Sequence, residues 1–144
     1  IIIVHLYGMP AKLEELLLVA KKYEIPVIED AAEALGSIYK GRKCGTFGDF
    51  SILSFNGNKI ITASGGGALV CNSENEKQKA IFYARQAKDN VVHYQHSEIG
   101  YNYRMTEMQA ALGISQMTRL DSFVTQRNDL AKKYDEEIYA NLAK

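Results

Sequence analysis

Hydrophobic residues in this chain come first as short unbroken runs and later at helical spacing. Ile1 to Val4 is continuous, apolar and β-branched, which predicts a strand buried on both faces. Tyr-Gly-Met-Pro follows as a turn, with Pro10 near the first position of a helix. In AKLEELLLVAKKYE, Leu13, Leu16, Leu17, Ala20 and Tyr23 recur at helical spacing with Lys and Glu between them. IPVIED is a second short strand, ending in acid. Strand, helix, strand with short joins predicts a right-handed βαβ unit built around a parallel sheet.

Beyond Asp30, AAEALGS reads as a helical turn stopped by Gly36, and IYKGRKCG as a small hairpin around Gly41. DFSILSF and GALVC are two more strands, flanking a loop of small residues that carries Lys59. Ser73 with Glu76 is a capping-box pattern opening the helix ENEKQKAIFYARQA. A polar loop with His93 and His96 follows. Thr106 with Gln109 is a second capping-box pattern, opening EMQAALGISQMTRLDSF, and the remainder reads as helix to Lys144. There is no internal repeat and no low-complexity segment. The order is α/β first and helical last.

The 144 residues suffice for one domain with a core. A net charge of zero gives no basic surface for nucleic acid or membrane. No segment is long and apolar enough for a transmembrane helix. Cys44 and Cys71 have neither metal-type spacing nor a disulfide framework, so the expected setting is a reducing cytoplasm. A chain that opens on a strand and stops inside a helical pattern is expected to be an internal part of something longer.

Few residues are placed for chemistry. Ligands of open α/β sheets bind outside the carboxyl ends of the parallel strands, where Asp30 stands. An acid there can meet the cationic part of a ligand, or simply cap the turn that follows, and the residue alone favours the cap. Lys59 could be a reactive amine in a desolvated site or a surface lysine in an Asn-Gly turn. Gly65 to Gly67 allow close backbone approach, a bulge or a ligand. The Ser54 hydroxyl could bind a phosphate or its own loop. Glu33, three residues after Asp30, could point into the same site or into solvent. His93 and His96 have helical metal-ligand spacing but no framing carboxylate or cysteine, so no metal site is expected. GYNYRM, from Gly100 to Met105, is an interface segment or an anion site.

VIEDAAEALGS, GRKCGTFGDFSILSFNGNK, SGGGALV and GYNYRMTEMQAALG together resemble, in order and spacing, the sugar aminotransferases of the DegT/DnrJ/EryC1/StrS family, over nearly the whole chain. The resemblance implies an α/β, three-layer αβα fold of the PLP-dependent transferase (fold type I) kind, with a mostly parallel sheet that is here incomplete. Residues 1–118 are then part of the PLP-binding large domain, and 119–144 start a long helix leading toward a C-terminal domain. The implied cofactor is pyridoxal 5′-phosphate (PLP). By position, Lys59 matches the catalytic lysine that binds PLP covalently, and Asp30 the acid paired with the pyridine nitrogen. Ser54 matches a serine on the phosphate. Asn102 resembles a residue reaching that phosphate from the neighbouring subunit of a homodimer.

The implied reaction transfers an amino group from a donor, expected to be glutamate, to a nucleotide-linked keto-sugar in glycan biosynthesis. The EDAAEALGS and SGGGALV blocks lean toward UDP-linked 4-keto-6-deoxy sugars. The alternative is a non-catalytic α/β module that keeps the fold signature and serves assembly or regulation. Two departures stand out. Glu33 occupies a position that is usually Gln or His, contacting the ring hydroxyl or face. An ionised Glu there repels a phenolate-like oxygen, so it is expected to be protonated, turned away or water-bridged. Gly65 stands where many members have Glu.

Overall fold

The apolar runs become strands and the periodic segment between them a helix, in a computed structural model that describes residues 1–142. β1 (Ile2–Val4) pairs in parallel with β2 (Ile28–Asp30), and β2 in parallel with β5 (Phe50–Ser54). β5 pairs antiparallel with β6 (Gly67–Cys71), so the sheet order is β1-β2-β5-β6 and two of its three pairings are parallel. Between β2 and β5, the strands β3 (Ile38–Tyr39) and β4 (Arg42–Lys43) form a separate hairpin. Lys40 and Gly41 both have positive φ in its two-residue turn, the geometry that matches strand twist and that glycine adopts without strain.

Side-chain alternation gives the sheet two unlike faces. Ile3, Glu29 and Ser51 stand in register on the covered face and are buried. There α1 (Leu13–Lys22) lays Leu13 and Ala20 against Ile3 and Val27. Leu13 is almost fully enclosed, worth about 1.5–3 kcal/mol for a side chain of its class. Glu14 and Glu15 in the first turn and Lys21 and Lys22 in the last suit the helix dipole. Tyr23, expected on the apolar stripe, is instead the exposed C-cap.

The opposite face stands open: Ile2, Val4, Ile28, Ile52 and Leu69 are exposed. The expectation that the first strand is buried on both faces is therefore corrected. β1 lies at the sheet edge and only Ile3 faces a helix.

Both capping boxes are made. Ser73 and Glu76 exchange side-chain and backbone bonds at the start of α2 (Glu74–Ala84), as do Thr106 and Gln109 at α3 (Glu107–Met117). The helix expected to run from Glu107 to Phe123 breaks at Thr118–Arg119, where the Thr118 hydroxyl donates back to the Ser115 carbonyl. The chain then re-enters α4 (Leu120–Leu142), whose Leu120 and Phe123 pack on a small core of Phe55, Ile61 and Ala63. The helix expected to reach Lys144 is described to Leu142, and residues 143–144 lie outside the described residues. The AAEALGS segment is not a helical turn. It forms two successive tight turns, closed by Ala34 N–H to Ala31 O and Ser37 N–H to Ala34 O. No helix among the described residues is long and apolar enough to cross a membrane.

Candidate active site

Three strands end together, and their following loops enclose a cavity of about 620 Å³. Its walls are the Tyr7–Pro10 loop after β1, Ala32–Glu33 after β2, and Ser54 with Asn58–Lys59 after β5; Arg127 and Asn128 of α4 form a further side. This is the carboxyl edge of the parallel strands, where α/β sheets hold ligands. The size lies within the range of small-molecule sites.

Lys59 reaches it from a tight turn in which its N–H donates to the Asn56 carbonyl. Its side chain is only 16% exposed, and Nζ lies 3.3 Å from Glu33 Oε1. The other Glu33 oxygen accepts the Tyr7 N–H at 2.7 Å. Tyr7 has positive φ (54°), which bends the β1–α1 loop within the stretch that walls the cavity. The Tyr7 N–H first, then the Lys59 ammonium, hold the Glu33 carboxyl below its usual range. Glu33 is thus neither protonated nor turned away: it faces the lysine as a carboxylate.

Ser54 lines the cavity, and its Oγ accepts a long bond from Asn56 N–H at 3.4 Å. Asp30 is not among the lining residues. One of its oxygens, Oδ1, caps the Ala31–Glu33 turn by accepting the Ala32 N–H at 3.1 Å, as the residue alone suggested. The second, Oδ2, makes no hydrogen bond among the described residues. Asn102 lies elsewhere, bridged to Arg85 and exposed, with Oδ1 accepting the Arg104 N–H. Lys59, Glu33 and Ser54 are brought together; Asn102 is not brought to them within one chain.

The glycines behind the loop have packing roles. A Cβ on Gly66 (φ +80°) would sit 2.8 Å from Met105 Cγ, and one on Gly67 2.5 Å from the Leu53 carbonyl oxygen. His93 and His96 are exposed and hydrogen-bond to different partners, Gln95 Oε1 and the Gln86 carbonyl.

A buried polar cluster that sequence reasoning missed ties the strands together on the covered side of the sheet. Glu29, fully buried, accepts from five donors: His5 Nε2, the backbone N–H groups of Gly45, Phe47 and Gly48, and Ser51 Oγ. Burial alone would push its carboxyl up, but the bonds from Gly45, His5, Phe47 and Gly48 together hold it below the usual range. His5 Nδ1 accepts the Ala11 N–H at 3.1 Å, so Nε2 carries the proton and donates to Glu29. Burial, and then the Glu29 charge, push the nearby Cys44 thiol up. His5, Glu29 and Cys44 have metal-like proximity, but both ring nitrogens of His5 and both oxygens of Glu29 are engaged in this network. An acid inside an apolar strand and a His at the end of another were the available signals.

Residues 1–143 match the model of the DegT/DnrJ/EryC1/StrS aminotransferase family. The chain belongs to this family. It is 54% identical over 134 residues to the putative pyridoxal phosphate-dependent aminotransferase EpsN of Bacillus subtilis, covering 93% of this chain and 34% of that protein. Identity is 43% over 138 residues with the GDP-perosamine synthase of Escherichia coli O157:H7, covering 96% and 38%. Among solved structures, Helicobacter pylori PseC, an aminotransferase involved in the biosynthesis of pseudoaminic acid, superposes with a TM-score of 0.87 at 31% identity, covering 94% and 37%. The chain thus spans little more than a third of the length of these family members.

PLP is the cofactor of the DegT/DnrJ/EryC1/StrS aminotransferases, and the donor set here fits it. A half-enclosed amine suits its aldehyde, an unpartnered carboxylate oxygen on Asp30 suits its pyridinium nitrogen, and the Ser54 hydroxyl suits its phosphate. The one local conflict is the Glu33 charge, which lies at the amine rather than being neutralised by a proton.

Proposed function

We propose that the protein containing this chain is a PLP-dependent aminotransferase that moves an amino group from an amino acid, glutamate, to a nucleotide-linked keto-sugar. The single observation that carries this reading is the position of Lys59. In a chain of this family, the amine opens into the cavity at the carboxyl ends of β1, β2 and β5, beside the Ser54 hydroxyl. PLP supplies an electron sink for a carbanion next to nitrogen. The protein's own residues do the rest. Lys59 would hold the cofactor, and its amine would then take and return the proton at the substrate carbon. Asp30 Oδ2 would pair with the pyridine nitrogen, and the Ser54 hydroxyl would help to hold the phosphate.

A relative named as a GDP-perosamine synthase supports a nucleotide sugar. The EDAAEALGS and SGGGALV blocks lean toward a UDP-linked 4-keto-6-deoxy sugar. In this reading residues 1–118 belong to the large domain, and 119–144 begin the helix toward a C-terminal domain. The enzyme works in the cytoplasm as a homodimer, with Asn102 reaching the neighbouring subunit's site.

The test is PLP loading of the full-length protein, borohydride reduction and mass mapping, followed by amino transfer to UDP- and GDP-linked 4-keto-6-deoxy sugars. Label confined to Lys59, with turnover lost in Lys59→Ala, is the expected result. Scattered or absent label with no turnover would instead support the non-catalytic module.

A further inference from the structure

Glu33 stands where a neutral or basic side chain was expected, and its two oxygens are used in two different ways. Oε2 is tied to the backbone of the β1–α1 loop through Tyr7 N–H at 2.7 Å, which fixes the carboxylate against the cavity wall. Oε1 then points at Lys59 Nζ, 3.3 Å away. Both side chains are partly enclosed, 16% exposed for Lys59 and 34% for Glu33, so water screens the pair less than an ion pair on an open surface. Among the described residues this is the ion pair that spans the cavity.

We propose that Glu33 is the counter-ion that holds Lys59 as an ammonium in the cofactor-free protein, so that release of this proton gates attack of the amine on an aldehyde. An ammonium has no lone pair to give, and a fixed carboxylate beside it favours the charged form. The other charged or titratable groups facing the pair are few. Asp30 lies in the same turn with Oδ1 already on Ala32 N–H, and Arg127 lies on the α4 wall. The Tyr7 phenol is 85% exposed, and only the backbone of that residue meets Glu33. The Tyr7 N–H reinforces the ionised state of Glu33. The Gln or His that the family resemblance leads one to expect at this position would supply a hydrogen bond without the negative charge. Glu33 therefore sets the pH at which the site loads, acting through Lys59 as a positioning residue.

The proposal takes Lys59 as the reactive amine from the reading above, but its test does not require PLP. Cofactor-free full-length protein is treated with formaldehyde and cyanoborohydride across a pH series, and methylation is followed lysine by lysine by mass spectrometry. The free amine attacks the aldehyde carbon, water leaves, and hydride from the cyanoborohydride reduces the new C–N double bond. In Glu33→Gln, Lys59 should be modified about two- to fivefold faster near neutral pH, the range one partly exposed charge pair supports. The rise of its rate with pH should move to lower pH, while Lys43 and Lys133, exposed and without an ion pair among the described residues, keep their rates as internal controls. Glu33→Asp should lie nearer the unaltered protein than Glu33→Gln does. In the unaltered protein, added salt should speed Lys59 relative to the unpaired Lys43 and Lys133, a readout that needs no variant.

An unchanged or slower Lys59 profile in Glu33→Gln, with the control lysines unmoved, overturns the proposal; so does a salt-insensitive Lys59 should that variant not fold. If PLP fails to label Lys59 while the formaldehyde profile shifts as stated, the aminotransferase reading fails and the ion-pair gate stands.

Discussion

His5 Nε2 lies 2.8 Å from Glu29 Oε1, and both side chains are shut off from solvent. The pair joins β1 to β2, and Glu29 reaches on to the 45–48 loop that leads into β5, so the three strands whose ends frame the cavity are tied by one carboxylate. Removing it leaves three backbone N–H groups and an imidazole without an acceptor. Glu29→Ala should cost on the order of 3–5 kcal/mol, as for a broken buried pair. His5→Ala should cost less, because the backbone donors remain satisfied. Urea unfolding of the full-length protein checks the order; equal losses would show that His5 rather than Glu29 carries the network.

The same carboxylate predicts an acid limb of stability. The Glu29 carboxyl is held below its ordinary value of 4.5 in the folded state. A group with a depressed folded value stabilises above its unfolded value and loses that contribution as pH falls through the folded one. Stability should therefore be level with respect to Glu29 above that ordinary value and decline below it. Glu29→Gln removes the titration, so the gap between the two proteins should narrow steadily as pH falls below 4.5. Unfolding midpoints taken across that range give the measurement, and a gap independent of pH would remove Glu29 from the account.

Gly67 begins β6 directly against β5, where a methyl group would meet the Leu53 carbonyl oxygen at 2.5 Å. The obstacle is strand backbone, which cannot swing aside as a side-chain tip can. Gly67→Ala should destabilise by about 1–3 kcal/mol, the usual cost of overpacking. Gly57, with nothing within 4 Å of an added Cβ, is the matched control and should tolerate alanine. Thermal unfolding of the two variants side by side decides between packing and a ligand role for the glycine run.

What could be read from the sequence was local. The two strands and the helix of the βαβ unit, both capping boxes and the Lys40–Gly41 hairpin are each written in a short stretch of neighbouring residues, and each forms as expected. The break between α3 and α4 was not legible, because Thr118 and Arg119 are acceptable inside a helix and only packing of Leu120 and Phe123 on Phe55 and Ile61 requires the turn. The open face of β1 was hidden for the same reason, since an apolar run does not say which side is covered. At the site, the amine, the acid and the hydroxyl could be named one by one. Their relations could not: Glu33 meets Tyr7 and Lys59 across 26 residues in each direction, and nothing near Glu33 in the sequence marks either partner.

Asn102 supplies the last prediction, since it lies away from the cavity of its own chain, exposed and paired in a bridge with Arg85. If it completes the site of a neighbouring subunit, two defective proteins should repair each other. A Lys59→Ala subunit has no working amine but still lends Asn102 across the interface. An Asn102→Ala subunit keeps its own Lys59 and lacks only the lent residue. In a mixed symmetric dimer one of the two sites then has both groups, and random re-association should restore about a quarter of the unaltered activity. Each variant alone should stay near its own low level. Unfolding the two variants together, refolding the mixture and assaying amino transfer against separately refolded controls makes the measurement. Activity equal to the mean of the controls would place the action of Asn102 within its own chain and remove the shared site from the proposal.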